Sequence, residues 1–251
     1  MLPQMFRLDG KRALVTGAGR GLGATMATAL AAAGAHVTLI ARSASEIEQV
    51  CADIVASGGA ATTATLDVTQ ATEVAAFFEK HAPFNVLLNN AGTNRPALLV
   101  DTPDADIEAV FNLNVLAAFR MAREVARGLI AHQLPGSIIN VSSQMGHIGS
   151  VNRTVYCASK HAIEGMTKAL AWELGQHHIR VNSLCPTFIE TPLTAPMLAK
   201  PEFHSWVVGN IALGRVGRAD EVIGPVVFLA SDASSLMTGS ALMIDGGWTA
   251  R

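Results

Sequence analysis

Charge is scarce in this chain. Asp, Glu, Lys and Arg together make up 15% of its 251 residues, while half of the residues are hydrophobic. Such a chain is expected to bury a sizeable core, and faces between subunits as well. The net charge is −2 and no basic block occurs, which speaks against nucleic acid or an anionic membrane as a partner. Cysteine is scarce too. Cys51, Cys157 and Cys185 stand far apart, without a CxxC or any metal-ligand spacing, so reduced core thiols and no metal are expected. The opening MLPQMFRLDGKR is too short and too mixed for a secretory signal. The alanine-rich stretch 24–41 is broken by Gly34 and His36 and reads as helix, turn and strand, not as a membrane span. There is no linker, low-complexity tract or repeat of fixed period. One domain over 1–251 and a cytoplasmic location are the expectations.

What is present is an alternation of short apolar runs with helical patterns. Strands are expected at Arg12–Thr16, His36–Ala41, 60–66, 85–88, Gly136–Val141, 179–184 and Ala241–Ile244. Helices are expected at 24–33, at 45–57 with an N-cap at Ser43 or Ser45, and at 71–81, 104–130, 154–176 and 220–230. The stretch 185–194, with two prolines, must be irregular. Residues 195–210, carrying Met197, Leu198, Phe203, Trp206 and Val207, form an apolar-faced, mobile candidate. The pattern argues an α/β fold: a Rossmann-type doubly wound parallel sheet of about seven strands with helices on both faces.

The chemistry-bearing residues follow the strand ends. Gly17, Gly19, Gly21 and Gly23, with Arg20 and Leu22 among them, lie between the first strand and the first helix. Glycines let a backbone approach a pyrophosphate, and the helix N-terminus offers free N–H groups. The second strand ends at Ala41-Arg42, where an NAD enzyme would carry a ribose-binding acid. Arg42 and Arg20 could instead meet a 2′-phosphate, or both could be solvated loop residues. Asp67 could accept from an adenine amino group or cap the helix that begins near Gln70. Asn89-Asn90-Ala91-Gly92 is small and polar enough to lie against a ligand. Asn114 interrupts a helical pattern, either opening the backbone ladder to hold a water or facing solvent.

Tyrosine occurs once, at Tyr156, and Lys160 follows one helical turn later. A cation beside a phenol favours phenolate, which suits proton transfer in an alcohol/ketone interconversion. Ser143 ends the preceding strand, where its hydroxyl could reach the same substrate oxygen. A half-buried ring and a surface charge would be the plain alternative. Residues 17–23, Arg42, Asp67, residues 89–92 and Ser142-Ser143 all follow strand ends and should share the rim at the carboxyl ends of the strands.

Thr16-Gly17-x-x-x-Gly21-x-Gly23, Asn89-Asn90-Ala91-Gly92, Asn114, Ser143 and Tyr156-x-x-x-Lys160, in that order, resemble the short-chain dehydrogenase/reductase family over nearly the whole chain. The resemblance implies a tetrad: Tyr156 as acid/base, Ser143 orienting the carbonyl, Lys160 binding the nicotinamide ribose and lowering the Tyr156 pKa, and Asn114 holding a relay water. It implies contacts of Asp67 and Val68 with adenine, of Asn90 with the nicotinamide-side ribose, and of Pro186, Ile189 and Thr191 around the nicotinamide. The family commonly has glycine where this chain has Thr187, so the Ile189 contact is open to change. Arg20 and Arg42 resemble NADP(H)-preferring members, with NAD(H) as the alternative. A homotetramer is also implied.

The substrate is not named by these motifs. Gln144, Met145, His147, Asn152, Arg153, Arg95 and Phe188, with Met197 and Trp206 on a covering segment near 187–210, are the side chains expected to face it. The polar ones suit a hydroxylated or carboxylated small molecule; the apolar ones suit an acyl or steroid substrate. Arg95 and Arg153 could equally be surface residues. Two other classes stand beside the reductase: a non-catalytic NADP(H)-binding sensor, and a nucleotide-sugar epimerase or dehydratase using the same Tyr/Lys pair. An intact tetrad argues against the sensor, and relatives of the epimerase type are usually longer.

Overall fold

The computed structural model describes residues 3–81 and 83–250, so Met1 and Arg251, the ends of the expected domain, lie outside it. The strands are β1 (Arg12–Thr16), β2 (His36–Ala41), β3 (Ala60–Thr65), β4 (Val86–Asn89), β5 (Gly136–Val141), β6 (Ile179–Pro186) and β7 (Ala241–Ile244). All neighbours pair in parallel, in the order β3-β2-β1-β4-β5-β6-β7. The helices are α1 (Gly21–Ala32), α2 (Ala44–Ala56), α3 (Ala71–Glu79), α4 (Asp104–Phe111), α5 (Ala118–Ala131), α6 (Thr154–Gly175), α7 (Ala195–Leu198), α8 (Pro201–Gly209) and α9 (Ile223–Ala230). This is the doubly wound Rossmann-type arrangement.

Strand residues alternate between two cores because successive side chains point to opposite faces. Ala13 and Val15 of β1 join Val37, Leu39 and Leu88 beneath α1, α2 and α9, with Met26, Leu30, Ile47 and Val226. Leu14, between them, faces the other layer with Ile40, Leu87, Ile138 and Val181, against Met121 and Val125 of α5 and Leu174 of α6. Both faces of β1 are therefore dry. Chain order reverses between β1 and β4, and in open sheets of this kind ligands bind outside the carboxyl ends at such a point.

Four differences from the sequence reading have local causes. The helix expected over 104–130 is α4 and α5 joined by a π-helical stretch, Asn112–Ala117. The candidate segment 195–210 is two helices, since Pro201 lacks an N–H and starts α8 at its first turn. β6 runs on to Pro186 because β7 supplies a partner for Cys185 and Pro186. The helix expected over 220–230 begins as a 3-10 turn, Ala219–Val222, before α9. Pro225 sits in the first turn of α9, where its missing N–H costs no intrahelical bond. Ser43 occupies the N-cap position of α2 without a side-chain cap hydrogen bond.

Candidate active site

β1 delivers the chain into a glycine turn in which Gly17 and Gly21 adopt φ of 64° and 56°, the left-handed region. The turn is locked from the β4 side. Asn90 Nδ2 donates to the Thr16 and Gly17 carbonyls at 3.0 and 3.1 Å. The N–H groups of Asn90 and Ala91 both donate to Thr16 Oγ1 at 3.0 Å. Asn90 thus holds the loop itself. α1 then starts at Gly21 with no side-chain cap on its first N–H groups, and Leu22 packs onto the core beneath. Thr191 Cβ would lie 3.7 Å from a methyl group added to Gly21, which places the 186–194 segment across the turn. An uncapped helix end under a glycine backbone fits the phosphates of a dinucleotide, with Glu46 packed against the loop at Gly19.

The arginines part company. Arg20 pairs with Glu46 of α2 at 3.5 Å, a carboxylate that the motif reading overlooks because it lies well beyond the glycine loop in sequence. Arg42, at the end of β2, is exposed. Asp67 is half-buried, and its Oδ1 accepts from the Thr69 N–H and hydroxyl at 3.0 and 2.8 Å. It closes its own turn and does not cap α3, whose N-cap position is Gln70. Val68 is buried against the core.

Beyond the rim lie Asn114, Ser143, Tyr156 and Lys160. The π-helical stretch carries Asn114 inward to 2% exposure, so its solvent-facing alternative is overturned. Its Nδ2 donates to the Thr93 carbonyl and to Ser159 Oγ, both at 3.0 Å, and its Oδ1 accepts from the Thr93 N–H at 2.8 Å. Ser159 Oγ donates in turn to the Tyr156 carbonyl at 2.7 Å. Lys160 is buried, and its Nζ donates to the Val141 carbonyl at 2.8 Å and lies 5.6 Å from the Tyr156 ring centre. A methyl group on Gly92 would sit 3.3 Å from Asn114 Oδ1 and 3.8 Å from Lys160 Nζ. The Asn90–Gly92 rim and these residues therefore border one space.

The expected depression of the Tyr156 phenol is not found. Desolvation pushes it up to about 12, the neighbouring Cys157 adds to this, and the Ser143 hydroxyl and the Arg153 guanidinium oppose it. Burial pulls the Lys160 ammonium down to about 8, against the attraction of Cys185 and Glu164. Lys160 spends its short contact on Val141, so the phenol gains no hydrogen bond from it. Ser143 Oγ accepts from the Met145 N–H at 3.1 Å and donates to Gln144 Oε1 at 3.2 Å.

The residues expected to face a substrate divide clearly. Arg153 is 7% exposed, with Nη1 buried and lacking a hydrogen-bond partner among the described residues, and with Nη2 3.5 Å from Met197 Sδ of α7. Burial lowers its pKa, and Tyr156 and Cys157 act in the opposite sense. Gln144 is also buried, and among the described residues its Nε2 has no hydrogen-bond partner. Met145 and Phe188 join Val207 and Trp248 in an apolar cluster, packed by Tyr156, Leu198 and Phe203. The Phe188 ring meets Phe203, Trp206 and Trp248 at 5.6, 6.5 and 5.8 Å between centres. Trp248 was not expected here, and its position near the end of the chain gave no local signal. Arg95, by contrast, pairs with Asp106 on the surface. Asn152 is exposed with φ 61°, so it serves the turn into α6. His147 Nε2 lies 3.6 Å from both Glu164 Oε2 and Cys185 Sγ. Ile189 is buried with Cδ1 against Gly217, to which its strand-like backbone pairs. Thr187 donates its N–H to the Ile244 carbonyl at 3.1 Å, and its buried hydroxyl has no hydrogen-bond partner among the described residues.

A family model described as enoyl-(acyl carrier protein) reductase matches residues 17–249. The chain is 37% identical to gluconate 5-dehydrogenase of Gluconobacter oxydans over 98% of each chain. It is 37% identical to L-xylulose reductase of Bos taurus, covering 98% of this chain and 99% of that one. Among solved structures, a gluconate 5-dehydrogenase from Burkholderia cenocepacia in complex with NADP and tartrate superposes with a TM-score of 0.94 at 34% identity, over 98% of each chain.

Proposed function

This chain belongs to the short-chain dehydrogenase/reductase family, and we propose that it interconverts a ketone and a secondary alcohol on a small hydroxylated carboxylate, using NADP(H). The carrying observation is the buried, unpaired Nη1 of Arg153 beside Tyr156. A buried cation without a counter-charge is costly, and a substrate carboxylate would relieve it through charge-assisted hydrogen bonds. Gln144 Nε2, also unpaired, would take a substrate hydroxyl or carbonyl. The relative named gluconate 5-dehydrogenase, and the solved one holding tartrate, support this substrate class.

Gly17, Gly19, Gly21 and Gly23 with the first turn of α1 would hold the pyrophosphate, with Asp67 and Val68 on the adenine side and Thr191 across the turn. Bound there, the nicotinamide supplies the hydride donor or acceptor. Ser143 Oγ orients the substrate oxygen. Tyr156, protonated at neutral pH because its phenol is held at about 12, donates the proton to the forming alkoxide. Lys160 meets the nicotinamide ribose and is the neighbouring ammonium. Both Asn114 Nδ2 hydrogens are committed to protein, so a relay water would meet the remaining lone pair of its Oδ1 or a carbonyl of the π-helical stretch.

Arg42 is the residue proposed for the 2′-phosphate, because Arg20 already shares Glu46. Arg42→Ala should weaken NADPH binding by about 10–100-fold, the worth of a hydrogen bond to a charged group, and leave NADH binding near wild type. An equal loss for both nucleotides, measured by fluorescence titration, would refute the role. Arg153→Ala should raise KM about 10-fold or more for a carboxylated substrate and have little effect on a neutral ketose. Equal KM changes for the two would remove the carboxylate reading. The Met145, Phe188, Phe203, Trp206 and Trp248 cluster favours a second reading, an acyl chain, which a 3-oxoacyl thioester in the same assay would test.

The rest of the reading is proposed on the same footing. The chain 1–251 would act as one domain in the cytoplasm, with α7 and α8 within the covering segment near 187–210. Copies would associate, as homotetramers, through faces that include Leu116, Phe119 and Trp172, which are exposed at 48%, 47% and 90%. Among the described residues no helix is long and apolar enough to cross a membrane.

A further inference from the structure

Three residues of different sequence regions meet on the inner side of α6. His147 comes from the loop after β5, Glu164 from α6 and Cys185 from β6. His147 Nε2 lies 3.6 Å from Glu164 Oε2 and 3.6 Å from Cys185 Sγ, and Cys185 Sγ lies 3.4 Å from Glu164 Oε1. Donor atoms about 2.0–2.3 Å from one tetrahedral cation lie roughly 3.3–3.6 Å from each other. The His147–Cys185 separation matches such a pair; the two meet different oxygens of the Glu164 carboxylate, and one donor atom of each residue lies within 4.8 Å of the others.

We propose that His147, Glu164 and Cys185 form a binding site for a divalent transition-metal ion, with Zn²⁺ as the ion the donor set suits. Imidazole, thiolate and carboxylate together are ligands for zinc and not for Mg²⁺ or Ca²⁺, which take oxygen alone. On binding, the Cys185 S–H proton passes to bulk solvent as the sulfur–metal bond forms. The thiolate and the Glu164 carboxylate then balance the two positive charges, and the imidazole binds as the neutral ring. Glu164 is held in place by Ser183, whose hydroxyl donates to Oε2 at 2.9 Å, the supporting contact a ligating carboxylate needs. Lys160, one turn earlier in α6, hydrogen-bonds the Val141 carbonyl through Nζ and, among the described residues, interacts with Glu164 and Cys185 through its charge alone. Cys185 and Glu164 are buried, whereas the His147 side chain is 30% exposed, so the fourth position lies open to a water on the His147 side. The ion would tie the loop after β5 and the end of β6 to α6, the helix that carries Tyr156 and Lys160. The site stands independently of the substrate reading above.

The test is a Co²⁺ titration of chelator-treated full-length protein, followed by absorption. One equivalent of Co²⁺ should produce a thiolate-to-cobalt charge-transfer band that Zn²⁺ abolishes. Cys185→Ser should remove the band. His147→Gln and Glu164→Gln should lower Co²⁺ affinity by more than the roughly 10–100-fold that outer-sphere partners cost. Zn²⁺ should raise the Tm of the wild type and not of His147→Gln. Absence of the band, or a band that survives Cys185→Ser, overturns the proposal and leaves a hydrogen-bonded cluster only. Should Cys185→Ser fail to fold, His147→Gln decides at its partly exposed position: Co²⁺ affinity equal to wild type overturns the site.

Discussion

Tyr156→Phe lowers turnover by about 10²–10⁴-fold, the usual worth of a positioned general acid, while NADPH still binds. The substitution removes one oxygen from a half-buried ring, whose remaining contacts are with the apolar cluster of Met145, Cys157 and Phe188. Nothing nearby can take over. Burial raises the Cys157 thiol, Arg153 offers no acid at neutral pH, and Lys160 Nζ, hydrogen-bonded to Val141, lies 5.6 Å from the Tyr156 ring centre. The direction of the pH dependence follows from the phenol being held at about 12. Ketone reduction uses the protonated phenol, so the wild-type rate should not fall as pH rises through 7 and 8. Alcohol oxidation needs a base and should climb with pH. Steady-state assays in both directions, with nucleotide binding measured separately, check the result. Near-normal turnover in the variant would dismiss Tyr156 as the acid/base; lost nucleotide binding would mean the variant reports on the cleft and not on proton transfer.

Gly23→Ala should abolish measurable dinucleotide binding and destabilise the protein. A Cβ at Gly23 would lie 2.1 Å from the Gly17 carbonyl oxygen and 2.5 Å from Asn90 Nδ2. Neither neighbour can retreat: the two are hydrogen-bonded to each other, and the same amide also holds the Thr16 carbonyl. Overpacking of this kind costs about 1–3 kcal/mol, and each kcal/mol should lower Tm by roughly 2–4 °C in a chain of this size. The larger effect is on binding, because the loop that follows the pyrophosphate must open. Gly165→Ala on α6 is the control. Its added methyl meets nothing within 4 Å, and a helix-interior Gly→Ala change gains about 0.5–1 kcal/mol. A Gly23→Ala protein that binds NADPH like wild type would remove the glycine turn from the cofactor site.

Much of this was legible in the sequence because it depends on local rules. β1, β2, β5 and β7 begin and end where the apolar runs do; for the first three this reflects burial on both faces, whereas β7 is a half-buried edge strand. The glycine turn, Asn114, Ser143, Tyr156 and Lys160 could be named because each carries a distinctive residue type after a strand or on a helix. What escaped depends on the third dimension. Glu46 reaches Arg20 only because α2 packs beside the glycine turn. Trp248 enters the aromatic cluster only because the chain returns past β7. The triangle of His147, Glu164 and Cys185 has no sequence spacing at all. Helical spacing places a cation on the same face as Tyr156 but says nothing of desolvation, which is the larger effect on the phenol here.

The π-helical stretch at Asn112–Ala117 also fixes how this region tolerates changes in length. A π turn spends one more residue than an α turn, so α4 and α5 are out of phase by about 100° relative to a continuous α-helix. Deleting Leu113 alone would let the ladder close into a regular helix and swing everything before it by that angle. Val110 would leave the core and Asp106 would leave Arg95, although neither residue had been touched. A one-residue gap here is therefore a rotation and not a shortening, and single-residue length changes should be far scarcer in 112–117 than in the exposed turns at either end of the sheet.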